Sequence, residues 1–180
     1  MSLRLQQDIK KKTFKIQDIV VIGMMAASME VAKLALSFLP NIELVSLFII
    51  IFTLFLGNKV FYGIFVFVIL EGFLYGFGLW WIMYLYCWPI LALLTKLLHK
   101  QSSIVAFALL SGTYGLFFGA LCSIPYLFIG GPVMVFSNWV TGIPFDIAHC
   151  LGNIIICFIL FKPLFYIMER VTKENIDASL

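Results

Sequence analysis

Apolar residues fill this chain in long blocks, and short clusters of polar residues, glycine and proline mark where each block ends. The first block runs from about Asp18 to Leu39 and stops at Pro40-Asn41; the second, Ile42 to Leu56, closes at Gly57-Asn58-Lys59. A third covers Val60 to Phe77, and Gly78 divides it from a fourth that reaches Leu98. The strip Thr95, Lys96, His99, Lys100, Gln101, Ser102 then interrupts the pattern before a fifth block that extends to Phe128. Gly130-Gly131-Pro132 opens a longer predicted loop, and the last helix is expected to begin at Pro144, where a missing N–H is harmless in the first turn, and to run to Met168. A helix needs ~20 apolar residues to cross a bilayer core, so the pattern predicts an all-α integral membrane protein of six transmembrane helices. The expected division is a basic tail over 1–17, a six-helix domain over 18–168 and a second tail over 169–180.

Composition points the same way. With 63% hydrophobic and 12% charged residues and a mean hydropathy of +1.08, the chain has too little polar surface to cover a soluble core. Neither tail is long enough to build a domain of its own, which excludes catalysis on a separate soluble domain. No small-residue cleavage pattern follows the first block, so that helix is read as retained rather than as a signal peptide. Basic residues set the orientation, because short loops rich in Lys and Arg stay on the cytoplasmic side. With both termini cytoplasmic, Arg4, Lys10, Lys11, Lys12, Lys15, Lys59, Lys96, Lys100, Lys162, Arg170 and Lys173 all fall inside, and only Lys33 does not. The expected location is the cell membrane, with several passes.

Ionisable residues within membrane helices are costly and few here. Glu30 and Lys33 stand three apart on one helical face, and an internal ion pair accounts for both. Glu71 has no partner within a helical turn, which leaves ligand contact and structural pairing both open. Asp146, His149 and Asn153 recur at three and four residues and share a face of the last helix. Asp146 alone is explained by the first turn after Pro144, where a carboxylate meets the positive end of the helix; His149 and Asn153 are not. Asp146 and His149 fall short of the three protein ligands of a catalytic zinc site, so no metal or other cofactor is expected.

Trp80, Trp81, Tyr84, Tyr86 and Trp88 crowd the outer half of the fourth block. An interfacial aromatic belt accounts for Trp80 and Trp81, whereas Tyr84 and Trp88 lie deeper and share a face. With Tyr75, Tyr114 and Tyr126 they offer either stacking surfaces for a flat ligand or ordinary packing. Small residues recur at four-residue spacing in Gly23/Ala27, Ser28/Ala32, Gly72/Gly76 and Gly115/Gly119, a pattern that permits close helix approach in lipid or docking of a partner. Cys87, Cys122, Cys150 and Cys157 all sit in apolar segments and read as structural thiols. A phosphate-cradling Gly-x-x-x-x-Gly-Lys-Ser/Thr loop is absent, as are His-Glu-x-x-His and Gly-x-Ser-x-Gly, so the chain carries no ATPase or hydrolase motif of its own.

Six short spans in 180 residues, the basic first tail, the ridge Gly23-Met-Met-Ala-Ala27-Ser28, the turn Phe38-Leu-Pro-Asn-Ile-Glu-Leu44 and the last-helix run Asp146-x-x-His149-x-x-x-Asn153 before Lys162-Pro163-Leu164 carry a resemblance. In these features the chain resembles the substrate-binding S components of energy-coupling factor (ECF) transporters, over nearly its whole length. The resemblance implies a non-enzymatic subunit that captures a vitamin or related micronutrient outside the cell and works with a transmembrane coupling subunit and two cytoplasmic ATPases. It implies docking of the coupling subunit on Gly23, Ala26 and Ala27. It further implies a substrate site near the outer face, drawn from Asn41, Glu43, Trp80, Trp81, Tyr84, Tyr126, Asn138, Trp139, Asp146, His149 and Asn153, with the Gly130-Gly131-Pro132 loop as part of a gate. Aromatic surfaces beside Glu43, Glu71 and Asp146 favour a nitrogen heterocycle. The alternatives are a stand-alone secondary carrier that uses Glu71 or Asp146 as a proton site, and a small membrane enzyme acting on lipids with Asp146 and His149 as an acid–base pair.

Overall fold

The computed structural model describes residues 16–39, 42–101 and 103–177, with side chains up to residue 172, and every regular element among them is helical. Asn41 and the basic residues of 1–15 lie outside the described residues. In chain order the elements are α1 (Ile16–Ala35), α2 (Val45–Leu56), a 3-10 turn (Gly57–Lys59), α3 (Val60–Tyr75), α4 (Leu79–Leu97), α5 (Ile104–Leu116), the short α6 (Phe118–Ser123), a second 3-10 turn (Ile124–Tyr126) and α7 (Leu127–Asp177). Helix α3 stops where Gly76 adopts φ +90°, a left-handed conformation that glycine takes without a Cβ clash, and the Gly76 N–H returns to Gly72 O at 2.9 Å.

The stretch after residue 130 departs from the expected long loop. Only Gly130 and Gly131 leave helical dihedrals, with Gly131 at φ +72°, and α7 then continues through Pro144 and Pro163. Pro132 takes the place after the glycine break where a missing N–H is tolerated, so Pro144 lies inside the helix rather than at its start. Proline within a helix frees a carbonyl one turn back and favours a bend, which membrane helices accommodate through neighbouring groups.

Cross-contacts fix the relative directions of the helices. Asp18 and Lys33, at opposite ends of α1, pair with Lys59, immediately before α3, and with Glu71, in its last turns, so these two helices run side by side in parallel. Helix α4 runs against α3: Trp81 near its start donates to Val68 O, and Lys96 near its end binds Asn58. Helix α2 is parallel to the adjoining part of α7, with Ser46 beside Asn153 and Phe55 on Phe165 at 4.8 Å between ring centroids. Helix α5 lies antiparallel to α7, from the stacked Phe107–Phe161 rings at 5.1 Å to Gly119 beside Asp146 just beyond its end. Asp18, Asn58, Lys59 and Lys96 therefore gather at one end of the bundle, and Lys33, Glu71, Tyr84, Glu43 and His149 at the other.

Helix α2 is the centre of the packing, with eight of its twelve residues buried, including Leu47, Ile49, Ile50 and Ile51. The outer surface is just as apolar: Phe73, Leu74, Phe128, Val133, Ile155 and Ile159 are all exposed. Water would drive such a surface to aggregate, whereas lipid chains match it. Among the described residues three helical stretches, Val45–Tyr75, Leu79–Leu97 and Ile104–Thr172, are long and apolar enough to cross a membrane, the mark of a multi-pass membrane protein. Between such helices lipid supplies little hydrophobic drive, so close packing and internal hydrogen bonds hold the bundle together.

Candidate ligand-binding site

The expected Glu30–Lys33 pair is replaced by a longer-range one. Lys33 ion-pairs with Glu71, while Glu30 accepts a hydrogen bond from the Tyr75 hydroxyl at 2.9 Å and its carboxyl adjoins that of Glu71. The Glu71 side chain is fully buried, and a buried carboxylate without a cation is far costlier than a partly exposed one, which gives Lys33 to Glu71. The Lys33 ammonium also faces three rings, with centroids at 4.8 Å for Tyr75, 5.6 Å for Tyr84 and 5.9 Å for Trp80.

Next to this cluster a cavity of about 290 Å³ opens between the end of α1, the segment before α2, α4, α6 and α7. Its polar walls are Lys33, Ser37, Glu43, Tyr84 and His149. Leu36, Leu39, Ile42 and Phe118 supply the apolar ones. His149 Nε2 stands 3.5 Å from Glu43 Oε1 without hydrogen-bond geometry, and its ring meets Phe118 edge-on at 5.2 Å. Beneath, Tyr84, Trp88, Tyr114 and Phe118 form a connected aromatic floor with centroid separations of 5.3 to 6.5 Å. Trp88 Nε1, Tyr114 OH and His149 Nε2 are buried and have no hydrogen-bond partner among the described residues. Orphaned polar atoms of this kind are rare in a closed core and are expected beside a ligand site.

Comparison with known proteins finds no matching family model, no curated relative and no similar solved structure.

The polar face of α7 divides by role. His149 reaches the cavity, while Asn153 is enclosed and donates to Ser111 O at 3.1 Å, with Ser46 Oγ at 3.5 Å. Asp146 does not sit at the start of its own helix, because α7 begins well before it; its Oδ1 instead accepts the Gly119 N–H at 2.9 Å, in the first turn of α6. The helix-terminus chemistry expected for this carboxylate thus acts on a neighbouring helix.

Of the other residues singled out from the sequence, Trp81 is held by its bond to Val68 O at 2.8 Å, and Trp80 packs on Tyr84 at 5.4 Å. Tyr126, Asn138 and Trp139 are not among the cavity's walls: Tyr126 ends the second 3-10 turn, Asn138 donates to Ser123 Oγ at 2.9 Å and Trp139 meets Phe136 edge-on. The cavity adds Lys33, Ser37 and Phe118 to that set. Lys33 carried a signal as the one basic residue on the wrong side of the charge pattern; Phe118 carried none among 19 phenylalanines.

The small residues separate as well. A Cβ built on Gly115 would lie 3.0 Å from the His149 carbonyl carbon and one on Gly119 would meet the Asp146 carboxyl, so both serve internal helix contact. Gly23 and Ala27 are exposed, and a Cβ on Gly23 meets nothing within 4 Å. Ala26, by contrast, is fully buried on the inner face of α1, so it is not part of an open ridge. No three His, Cys, Asp or Glu side chains among the described residues are grouped to hold a metal. Cys87 and Cys122 are free thiols with sulfurs 4.0 Å apart.

Proposed function

We propose that the protein is the substrate-capturing S component of an ECF-type importer for a vitamin or related micronutrient, with six membrane passes and both termini in the cytoplasm. The observation that carries this reading is the cavity at the Lys33/Glu43/His149 end of the bundle. Walls of rings and a few convergent polar groups, with no activated nucleophile beside them among the described residues, suit binding and release rather than bond breaking. Supporting the topology is the alternation of helix directions, with Lys59 and Lys96 at the end opposite the cavity, which becomes the cytoplasmic end by the positive-inside rule. The faces and edges of this aromatic floor favour a heterocyclic substrate. Exposed Gly23 and Ala27 leave a shallow strip on α1 where a coupling subunit's helix can approach closely.

The test is affinity purification of the full chain from its native membranes, with the partners identified by mass spectrometry. A coupling subunit and two ATPases are expected to come with it, and Gly23→Leu or Ala27→Leu is expected to release them without lowering the chain's own melting temperature. Recovery of the chain alone from gently solubilised membranes, or full retention of the partners by both leucine variants, would refute the reading. A second reading, a stand-alone proton-coupled carrier, draws on the adjoining Glu30 and Glu71 carboxyls. It requires proton-dependent uptake by liposomes containing this chain alone.

A further inference from the structure

The charge balance around the cavity names the kind of molecule that fits it, on the reading that this cavity is a capture site. Lys33 is the single ammonium there among the described residues, and three carboxyl groups belong to the same region: Glu71 in direct contact with it, Glu30 adjoining Glu71, and Glu43 on the cavity wall. The Lys33 ammonium is already engaged by the fully buried Glu71 and is therefore not free to neutralise Glu43. Glu43 keeps its carboxylate on the cavity wall, where His149 Nε2 stands 3.5 Å away without hydrogen-bond geometry. In partly desolvated surroundings such a charge attracts a cation strongly and repels an anion equally. An anion would in addition have to draw Lys33 away from buried Glu71, leaving that carboxylate alone at a cost of several kcal/mol.

The rings point to the same sign of charge. Aromatic faces attract cations within about 6 Å of the centroid, and Tyr75, Tyr84 and Trp80 already converge on the Lys33 ammonium within that distance. Tyr84 belongs both to this box and to the cavity wall, which it shares with Glu43 and Phe118. A volume of about 290 Å³ holds one aromatic ring with a short substituent and excludes large cofactors.

We propose that the cavity selects a small flat organic monocation, a protonated aryl amine or N-heterocyclic cation, with Glu43 as its counter-ion and the Tyr84 and Phe118 rings as its stacking walls. Lys33 is the resident cation of the neighbouring ring box and keeps a second positive ligand charge out of it.

The experiment is isothermal titration of the full chain in nanodiscs with two sets of probes matched in shape and differing in charge. One set is 1-methylnicotinamide, nicotinamide and nicotinate; the other is benzylamine, benzyl alcohol and benzoate. The cationic member of at least one set is expected to bind at least about tenfold more tightly than its neutral and anionic counterparts, as a close charge partner implies. Glu43→Gln is expected to remove that advantage, bringing the cationic probe's affinity to within about twofold of its neutral counterpart's in the same variant, because the charge is lost. Glu43→Asp should retain part of it. Tightest binding by nicotinate or benzoate, or a cation preference unchanged in Glu43→Gln, would overturn the cation assignment while leaving a capture site in place. Silence of every probe on folded wild-type protein that still co-purifies its ATPases would also overturn the cation assignment alone; silence together with loss of those partners would overturn the capture reading too.

Discussion

Adding one methyl group at two glycines separates packing from helix propensity. Gly115→Ala places a Cβ 3.0 Å from Asn153 Nδ2, 3.0 Å from the His149 carbonyl carbon and 3.1 Å from the Cys150 backbone nitrogen. Comfortable carbon contacts lie at ~3.5–4.0 Å, so α5 and α7 must part by about half an ångström, and two of the three obstacles are backbone that cannot rotate away. Overpacking of this kind costs about 1–3 kcal/mol. Gly23→Ala makes the same chemical change where nothing lies within 4 Å. Each variant gains about 0.5–1 kcal/mol from replacing glycine within a helix, and that gain cancels when the two are compared. The difference between them is therefore the packing cost alone. For a chain of this size each kcal/mol moves the melting temperature by about 2–4 °C, so Gly115→Ala should melt about 2–12 °C below Gly23→Ala. Tryptophan fluorescence during thermal unfolding of both variants in the same detergent reads this directly. Equal melting temperatures, or a more stable Gly115→Ala, would refute the close apposition of α5 and α7 on which the position of His149 depends.

Two further outcomes follow from the buried polar groups. Asn153→Leu removes the donor to Ser111 O in a site only 2% exposed, and the loss should cost about 1–3 kcal/mol in the same unfolding assay. In a double-mutant cycle, Glu71→Leu and Lys33→Met should each destabilise more than the pair combined would suggest, with a coupling of about 1 kcal/mol or more, because removing both partners leaves neither of the two buried without its counter-charge. Additive effects would refute the Lys33–Glu71 pairing.

How far the sequence reads on its own is clearest at particular residues. The apolar blocks from Val45 onward mark the helices, since lipid and core alike demand long apolar stretches and the breaks at Gly57, Gly76 and the strip near Lys100 are local backbone chemistry. Spacing on one helix also placed His149 and Asn153 on a common face of α7. Their different roles were not legible, because whether a side chain meets a cavity or a carbonyl depends on what another helix brings opposite: Glu43 for His149, Ser111 for Asn153.

The same limit governs Lys33. Sequence offered Glu30, three residues away, as its partner, while the fold supplies Glu71, 38 residues away and fully buried. Pro144 likewise has a local meaning as a helix start, yet the glycine pair at 130–131 had already broken the chain and let Pro132 take that place. Sequence by itself determined the solvent this chain is built for, its helical class and the small set of polar residues that have to be accounted for, because these follow from hydropathy and backbone preference summed along the chain. Only the tertiary structure decided which of those residues meet, since ion pairing, ring stacking and cavity shape depend on distances between helices that no local pattern encodes.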